Sequence, residues 1–194
     1  MAKIDIILSG VGGQGILSIA TVIGQAASFS GIYLKQAEVH GMSQRGGDVQ
    51  SNLRLSECEI CSDLIPVGEA DVIISMEPME ALRYVPFLHK DGCVITSSEP
   101  FVNIGNYPDK EAVIKELQAL PNVKMMEIEQ MAKSNMIPKS ANMILLGMAA
   151  PYLNIISADQ LRNAISVIFA VKGEKVVADN IKAFNIGLEA VTTK

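Results

Sequence analysis

The stretch Lys3-Ile4-Asp5-Ile6-Ile7-Leu8-Ser9-Gly10-Val11-Gly12-Gly13-Gln14-Gly15-Ile16-Leu17-Ser18-Ile19-Ala20 decides how the chain is read. Lys3 to Ser9 is an apolar, β-branched run closed by glycine, the pattern of a strand buried on both faces. Beyond the glycines, Ile16, Leu17, Ile19, Ala20, Ile23 and Ala27 recur at the spacing of one helix face that ends near Gly31. Ile32 to Val39 reads as a second strand. The first forty residues therefore predict a βαβ unit, for which the right-handed parallel crossover is the default.

The same rhythm continues outward. Alternation over Val49 to Leu55 predicts a third strand whose partial polarity suits a sheet edge or an interface. Asp71 to Met76 reads as a strand, Pro78 opens a helix running through Pro86, and Gly92 to Ser97 reads as the next strand. Residues 98–108 carry two prolines and no period, the mark of a connection. Asp109 then caps a helix to Leu120, Val123 to Ile128 is a strand, and Glu129 to Asn135 is a short helix. Three helices complete the chain: Ser140 to Leu153, Ser157 to Lys172 with Gly173 as its stop, and Glu174 to Thr192. The expected fold is α/β, a single doubly wound Rossmann-like domain over residues 1–194. Its sheet is mainly parallel, its C-terminal third is helical, and ligands are expected at the carboxyl ends of the strands.

Composition bounds the partners. The 194 residues are 49% apolar and 19% charged, against about 25% charged in a typical soluble domain. Mean hydropathy is +0.29, which excludes intrinsic disorder and suits a chain with a large subunit interface or a tendency to self-associate. A net charge of −5 argues against a nucleic-acid footprint, which needs a basic face. Asp5 interrupts the opening apolar run and leaves no signal-peptide core, so a cytoplasmic location is expected. Met143 to Leu153 is too short to span a bilayer and reads as a buried helix or contact surface, so no membrane partner is expected. Three cysteines cannot form a disulfide framework, and Cys58, Cys61 and Cys93 fall short of the ligands that zinc or a four-cysteine cluster requires.

Two loops carry the chemistry. Gly10, Gly12 and Gly15, with Gly13 and Gln14 between them, match G-x-G-x-x-G after a strand and before a helix. In that setting the backbone can approach a phosphate, and the helix N-terminus contributes about half a positive charge. Tight packing of helix on strand without a ligand is the other reading of the glycines. Glu38 stands at the end of the second strand, where a dinucleotide fold places its ribose-binding acid. The segment after it, His40-Gly41-Met42-Ser43-Gln44-Arg45-Gly46-Gly47, is one that no dinucleotide fold requires. Its Arg45 fork suits a carboxylate or phosphate, and Gly46 and Gly47 would admit a ligand or backbone; pairing of Arg45 with Glu38 or Asp48 is the other reading.

No Gly-Lys-Ser/Thr follows the first loop, which disfavours nucleotide hydrolysis, and no G-x-S-x-G elbow occurs. His89 reads as the surface end of a helix, and His40 suits a structural hydrogen bond or proton transfer. Met76, Met125, Met126, Met143 and Met148 read as core filling. The chain holds no self-sufficient catalytic constellation.

Together, Gly10 to Gly15 and Glu38 to Gly47 closely resemble the gamma-type subunits of 2-oxoacid:ferredoxin oxidoreductases, most of all in their indolepyruvate branch. Leu64-Ile65-Pro66, Gly68 to Asp71, Glu77 to Arg83 and Asn142-Met143 are similar in order and spacing, so the resemblance spans essentially the whole chain. It implies a subunit of a complex that converts a 2-oxoacid, coenzyme A and oxidised ferredoxin to an acyl-CoA, carbon dioxide and reduced ferredoxin. Thiamine diphosphate and iron–sulfur clusters would belong to the partner subunit, and this chain would hold no cofactor of its own. His40, Ser43, Gln44 and Arg45 would face the partner's active site, while Gly10, Gly12, Gly13, Gln14, Gly15, Glu38, Gly46 and Gly47 would meet a phosphate-bearing cofactor or the partner chain. A free-standing NAD(P)-binding dehydrogenase and a purely structural interaction subunit are the alternatives.

Overall fold

The computed structural model describes residues 2–40, 47–102 and 104–193, with His40 described at its backbone alone. Six strands form one sheet: β1 (Lys3–Val11), β2 (Tyr33–His40), β3 (Asp48–Ser56), β4 (Ala70–Ser75), β5 (Leu88–Ser97) and β6 (Val123–Met126). Their order is β2-β3-β1-β4-β5-β6, with β1, β4, β5 and β6 parallel and β3 antiparallel to both neighbours. The mainly parallel, Rossmann-like sheet is as expected.

Two expectations are corrected. β2 does not pair with β1, because β3 returns as a hairpin partner of β2 and inserts between them. The polar–apolar third strand is consequently interior, and β2 is the edge. Its polarity has a local cause. Leu53 and Leu55 enter the core under the helices, while Arg54 points to the other face and forms an ion pair with buried Asp5 at 2.8 Å.

Side-chain alternation sorts the helices. Ile4, Ile6 and Leu8 of β1, Val72 and Ile74 of β4, and Ile95 of β5 face the larger core, while Ile7, Ile73 and Val94 face the smaller one. The larger core is closed by α1 (Ile16–Phe29), α4 (Ile128–Ser134), α5 (Ala141–Ala149), α6 (Ala158–Phe169) and α7 (Glu174–Thr192). The smaller is closed by α2 (Pro78–Tyr84) and α3 (Lys110–Gln118). Asp109 caps α3 through the Ala112 amide, and Ser157 with Gln160 forms a capping box on α6, both as their sequence implies. His89 lies within β5 rather than at a helix end, because the helix after Pro78 tightens into a 3-10 turn at Val85–Phe87 and stops.

The apolar segment from Met143 onward becomes α5, buried on every side, with Met143, Ile144, Leu145, Leu146, Met148 and Ala149 all fully enclosed. Met76 is buried as well, whereas Met125 and Met126 are only half-buried. α5 lies against α7 at two glycines. A Cβ on Gly147 would stand 2.0 Å from the Phe184 carbonyl oxygen, and one on Gly187 would stand 1.9 Å from that of Ile144. No helix among the described residues is long and apolar enough to cross a membrane.

Candidate functional site at the carboxyl edge of the sheet

The helices change face between β1 and β4, so the carboxyl ends of these two strands form the crevice where open α/β sheets take ligands. Gly10 ends the regular part of β1 against the first turn of α1. A Cβ there would meet Ile16 Cγ1 at 2.9 Å, so close approach of helix to strand falls to the first glycine of the motif. Gly13 has φ +104° and open space around it. Gly15 has φ +81° and forms the N-cap of α1 without a side-chain cap. Its carbonyl accepts a hydrogen bond from Asn142 Nδ2 at 3.0 Å, and a Cβ would come within 2.7 Å of that nitrogen.

Gln14 ties the crevice together. Its Oε1 accepts from the Val11 amide at 2.7 Å, and its Nε2 donates to the Met76 carbonyl beyond β4 at 3.4 Å. The Gly12 amide donates to the Gly47 carbonyl at 2.8 Å, so the glycine loop touches the end of the segment that follows β2. Gly47, the last residue of that segment, thus meets the glycine loop at the carboxyl edge, although β3 stands between β1 and β2.

Glu38 is exposed on edge strand β2, opposite Ser51, with its carboxylate accepting from Gln36 Nε2. Two inter-strand spacings, about 10 Å, separate β2 from β1. A ribose-binding acid stands on the strand next to the glycine loop, and Glu38 does not. Ser43, Gln44, Arg45 and Gly46, together with Gly41 and Met42 and the side chain of His40, lie outside the described residues, as does any pairing of Arg45.

Behind the crevice, buried Glu77 fixes the following loops. Its Oε2 accepts from the Glu80 amide at 2.8 Å, capping α2, while Oε1 accepts from the Phe101 amide and the Tyr107 hydroxyl at 3.3 and 2.5 Å. Burial, and then this hydrogen bond, push the Tyr107 phenol well above its ordinary range. Burial raises the Glu80 carboxyl, opposed by Arg83, whose guanidinium lies 2.9 and 3.2 Å from its two oxygens. These groups hold the connection after β5 against the end of β4; they are scaffolding.

On the helical side of the glycine loop lies a cavity of about 370 Å³, which Gly13, Gly15, Lys139, Asn142 and Lys172 help to line. Asn142 is part of a motif legible in the sequence. Lys139 and Lys172 are not, since no local pattern separates them from ordinary surface lysines.

The cysteines do not fit an iron–sulfur cluster. Cys58 and Cys61 are exposed in the connection after β3, at the opposite edge of the sheet, and Cys93 is buried in β5 with its thiol pushed up to about 11 by burial. Among the described residues, no group of three or more His, Cys, Asp or Glu is placed to hold a metal.

The Gly12–Gly47 hydrogen bond joins the glycine loop to the residue that leads into β3, on a sheet interrupted by that one antiparallel strand. Residues 5–190 match the family model of pyruvate ferredoxin/flavodoxin oxidoreductases, and the chain belongs to that family. Within it, the chain is 34% identical to indolepyruvate oxidoreductase subunit IorB of Pyrococcus horikoshii, an alignment covering 98% of this chain and 96% of that one. It is also 34% identical to the subunit of the same name in Archaeoglobus fulgidus, over 95% and 94% of the two chains. The fold matches the gamma subunit of the keto/oxoacid ferredoxin oxidoreductase of Geobacter sulfurreducens with a TM-score of 0.75, at 22% identity and with 98% and 97% of the chains covered. The chain is thus a gamma-type subunit of a 2-oxoacid:ferredoxin oxidoreductase.

Proposed function

We propose that the chain, acting as one gamma-type domain over residues 1–194, is the subunit without cofactors of a cytoplasmic arylpyruvate oxidoreductase of the indolepyruvate type. The complex would oxidatively decarboxylate aryl pyruvates with coenzyme A and oxidised ferredoxin, giving an aryl-acetyl-CoA, carbon dioxide and reduced ferredoxin. Thiamine diphosphate and the iron–sulfur clusters would sit on the partner subunit, and ferredoxin would dock through the complex.

The observation that carries this reading is the 2.8 Å hydrogen bond from the Gly12 amide to the Gly47 carbonyl. It joins the glycine loop to the end of the His40–Gly47 segment, so both can cover one partner site. His40, Ser43, Gln44 and Arg45 would face that site, with Arg45 holding a carboxylate or phosphate. The glycine loop would position coenzyme A at the N-terminus of α1. A dinucleotide dehydrogenase loses its main support, because β3 separates Glu38 from the glycine loop.

The test is dye reduction by the intact complex with indolepyruvate, pyruvate and 2-oxoglutarate in turn. Indolepyruvate should give the highest kcat/KM and require coenzyme A, and Arg45→Ala should lower turnover by about tenfold or more without loss of assembly. A preference for pyruvate or 2-oxoglutarate contradicts the aryl assignment, and unchanged kinetics remove Arg45 from the site.

A further inference from the structure

Cys58 and Cys61 are nucleophilic groups that the proposed function leaves unused. Both are exposed, and both stand in the connection between β3 and β4 with Glu59 and Ile60 between them. Thiol reactivity follows exposure and thiolate character, so these two are open to reagents. Cys93 is the contrast: it is buried in β5, and burial pushes its thiol up to about 11.

The connection confines the two cysteines at both ends. Before them, the Glu57 amide donates to the Ala2 carbonyl at 3.1 Å, and the Cys58 amide donates to Ser56 Oγ at 3.0 Å. After them, Lys35 Nζ of β2 donates to the Cys61 carbonyl at 3.2 Å. The Arg54 guanidinium, held by Asp5, donates to the carbonyls of Ser62 and Leu64 at 3.2 and 3.0 Å. The chain bends sharply at Cys58 and again at Cys61, while Glu59 and Ile60 belong to no helix, strand or hydrogen-bonded turn. Three residue steps reach about 10 Å when extended, and a disulfide needs Cα atoms about 4.4–6.8 Å apart. The two bends shorten the span, and the unpaired backbone between them can adjust for the remainder.

Zinc sites and iron–sulfur clusters take four ligands, and among the described residues no further His, Cys, Asp or Glu joins this pair to make a group of three. The pair's chemistry is therefore with each other.

We infer that Cys58 and Cys61 form a redox-active dithiol, which closes to an intramolecular disulfide by exchange with a low-molecular-weight disulfide. One cysteine loses its proton to solvent, and its thiolate attacks a sulfur of the small disulfide, forming a mixed disulfide and releasing one small thiolate. The other cysteine, deprotonated in turn, attacks its neighbour's sulfur in the mixed disulfide and releases the second. Two protein thiols are oxidised to one disulfide, and one small disulfide is reduced to two thiols. The pair lies at the opposite edge of the sheet from the Gly12–Gly47 contact, so this inference is independent of the substrate and partner proposed above.

Incubating the reduced full chain with glutathione disulfide, without oxygen and with a metal chelator present, tests it by mass spectrometry and thiol alkylation. The wild type should lose the mass of two hydrogen atoms, with peptide mapping joining Cys58 to Cys61, and dithiothreitol should reverse the change. Alkylatable thiols in the unfolded protein should fall from three to one, the remaining one being Cys93. Cys58→Ser and Cys61→Ser, each checked by its thermal melt, should stop at a glutathione adduct that persists at least about tenfold longer than in the wild type, because the second attack is intramolecular. A wild type that keeps glutathione on either cysteine for as long as the serine variants do, that forms disulfides between copies instead, or that retains all three thiols overturns the inference and leaves the proposed function standing.

Discussion

Gly15 shows how one residue couples distant parts of the chain. Its φ of +81° is a conformation that costs an L side chain about 1–2 kcal/mol, and the Asn142 amide lies 2.7 Å from where a Cβ would stand. Gly15→Ala should therefore lower stability by about 2 kcal/mol, the strain and the contact acting together. In chemical denaturation Asn142→Ala should recover part of that loss in the double variant, and strict additivity would show that the two do not touch. The spacing of Gly10, Gly12 and Gly15 was visible in the sequence, because a strand-to-helix turn demands small residues at fixed offsets. The role of Gly15 was not, because its partner stands 127 residues away. Glu38 failed in the opposite way. Its position along the chain fits a ribose-binding acid, but its position across the sheet is set by a strand that local pattern does not place.

At the scale of elements, periodicity located nearly all the strands and helices but not their order. The hairpin of β2 with β3 leaves no signature in either strand, since alternation records which face is buried and not which neighbour is paired. His89 was misread because a run ending in Leu88-His89-Lys90-Asp91-Gly92 resembles a helix terminus, whereas the chain there enters β5. α5 was legible as a buried helix from its unbroken apolar run. The reason for Gly147 and Gly187 appears only where α5 meets α7, with a Cβ at either position driven into backbone. Alanine gains about 1 kcal/mol of helix propensity over glycine, far less than separating two packed helices costs. Gly187→Ala is accordingly predicted to destabilise by about 2 kcal/mol or more in thermal and urea melts. An unchanged or raised melting temperature would mean that the helices are not so close.

At the scale of the molecule, the sheet is lopsided, with five helices on one face and two on the other, and its two edges differ in chemistry. The carboxyl edge carries the glycine loop joined to Gly47, the cavity beside α1, and the partly exposed apolar side chains Val39, Phe101, Val102 and Ile104. Exposed apolar groups beside polar loops are what a subunit interface presents, and in the isolated chain the same groups would favour self-association. The apolar composition announced a surface of this kind, but only the fold gathers it at one edge. The paired loops made the family legible from sequence, because two polar, glycine-bearing segments at the ends of neighbouring elements are far more specific than a single glycine motif.

The account requires that this edge complete the site of another chain. The most direct test is anaerobic affinity purification of the tagged chain from its own host, followed by dye reduction with indolepyruvate, coenzyme A and thiamine diphosphate. The account predicts that an iron–sulfur subunit co-purifies and that reduction depends on coenzyme A. Recovery of the chain alone, inactive under those conditions, would contradict it.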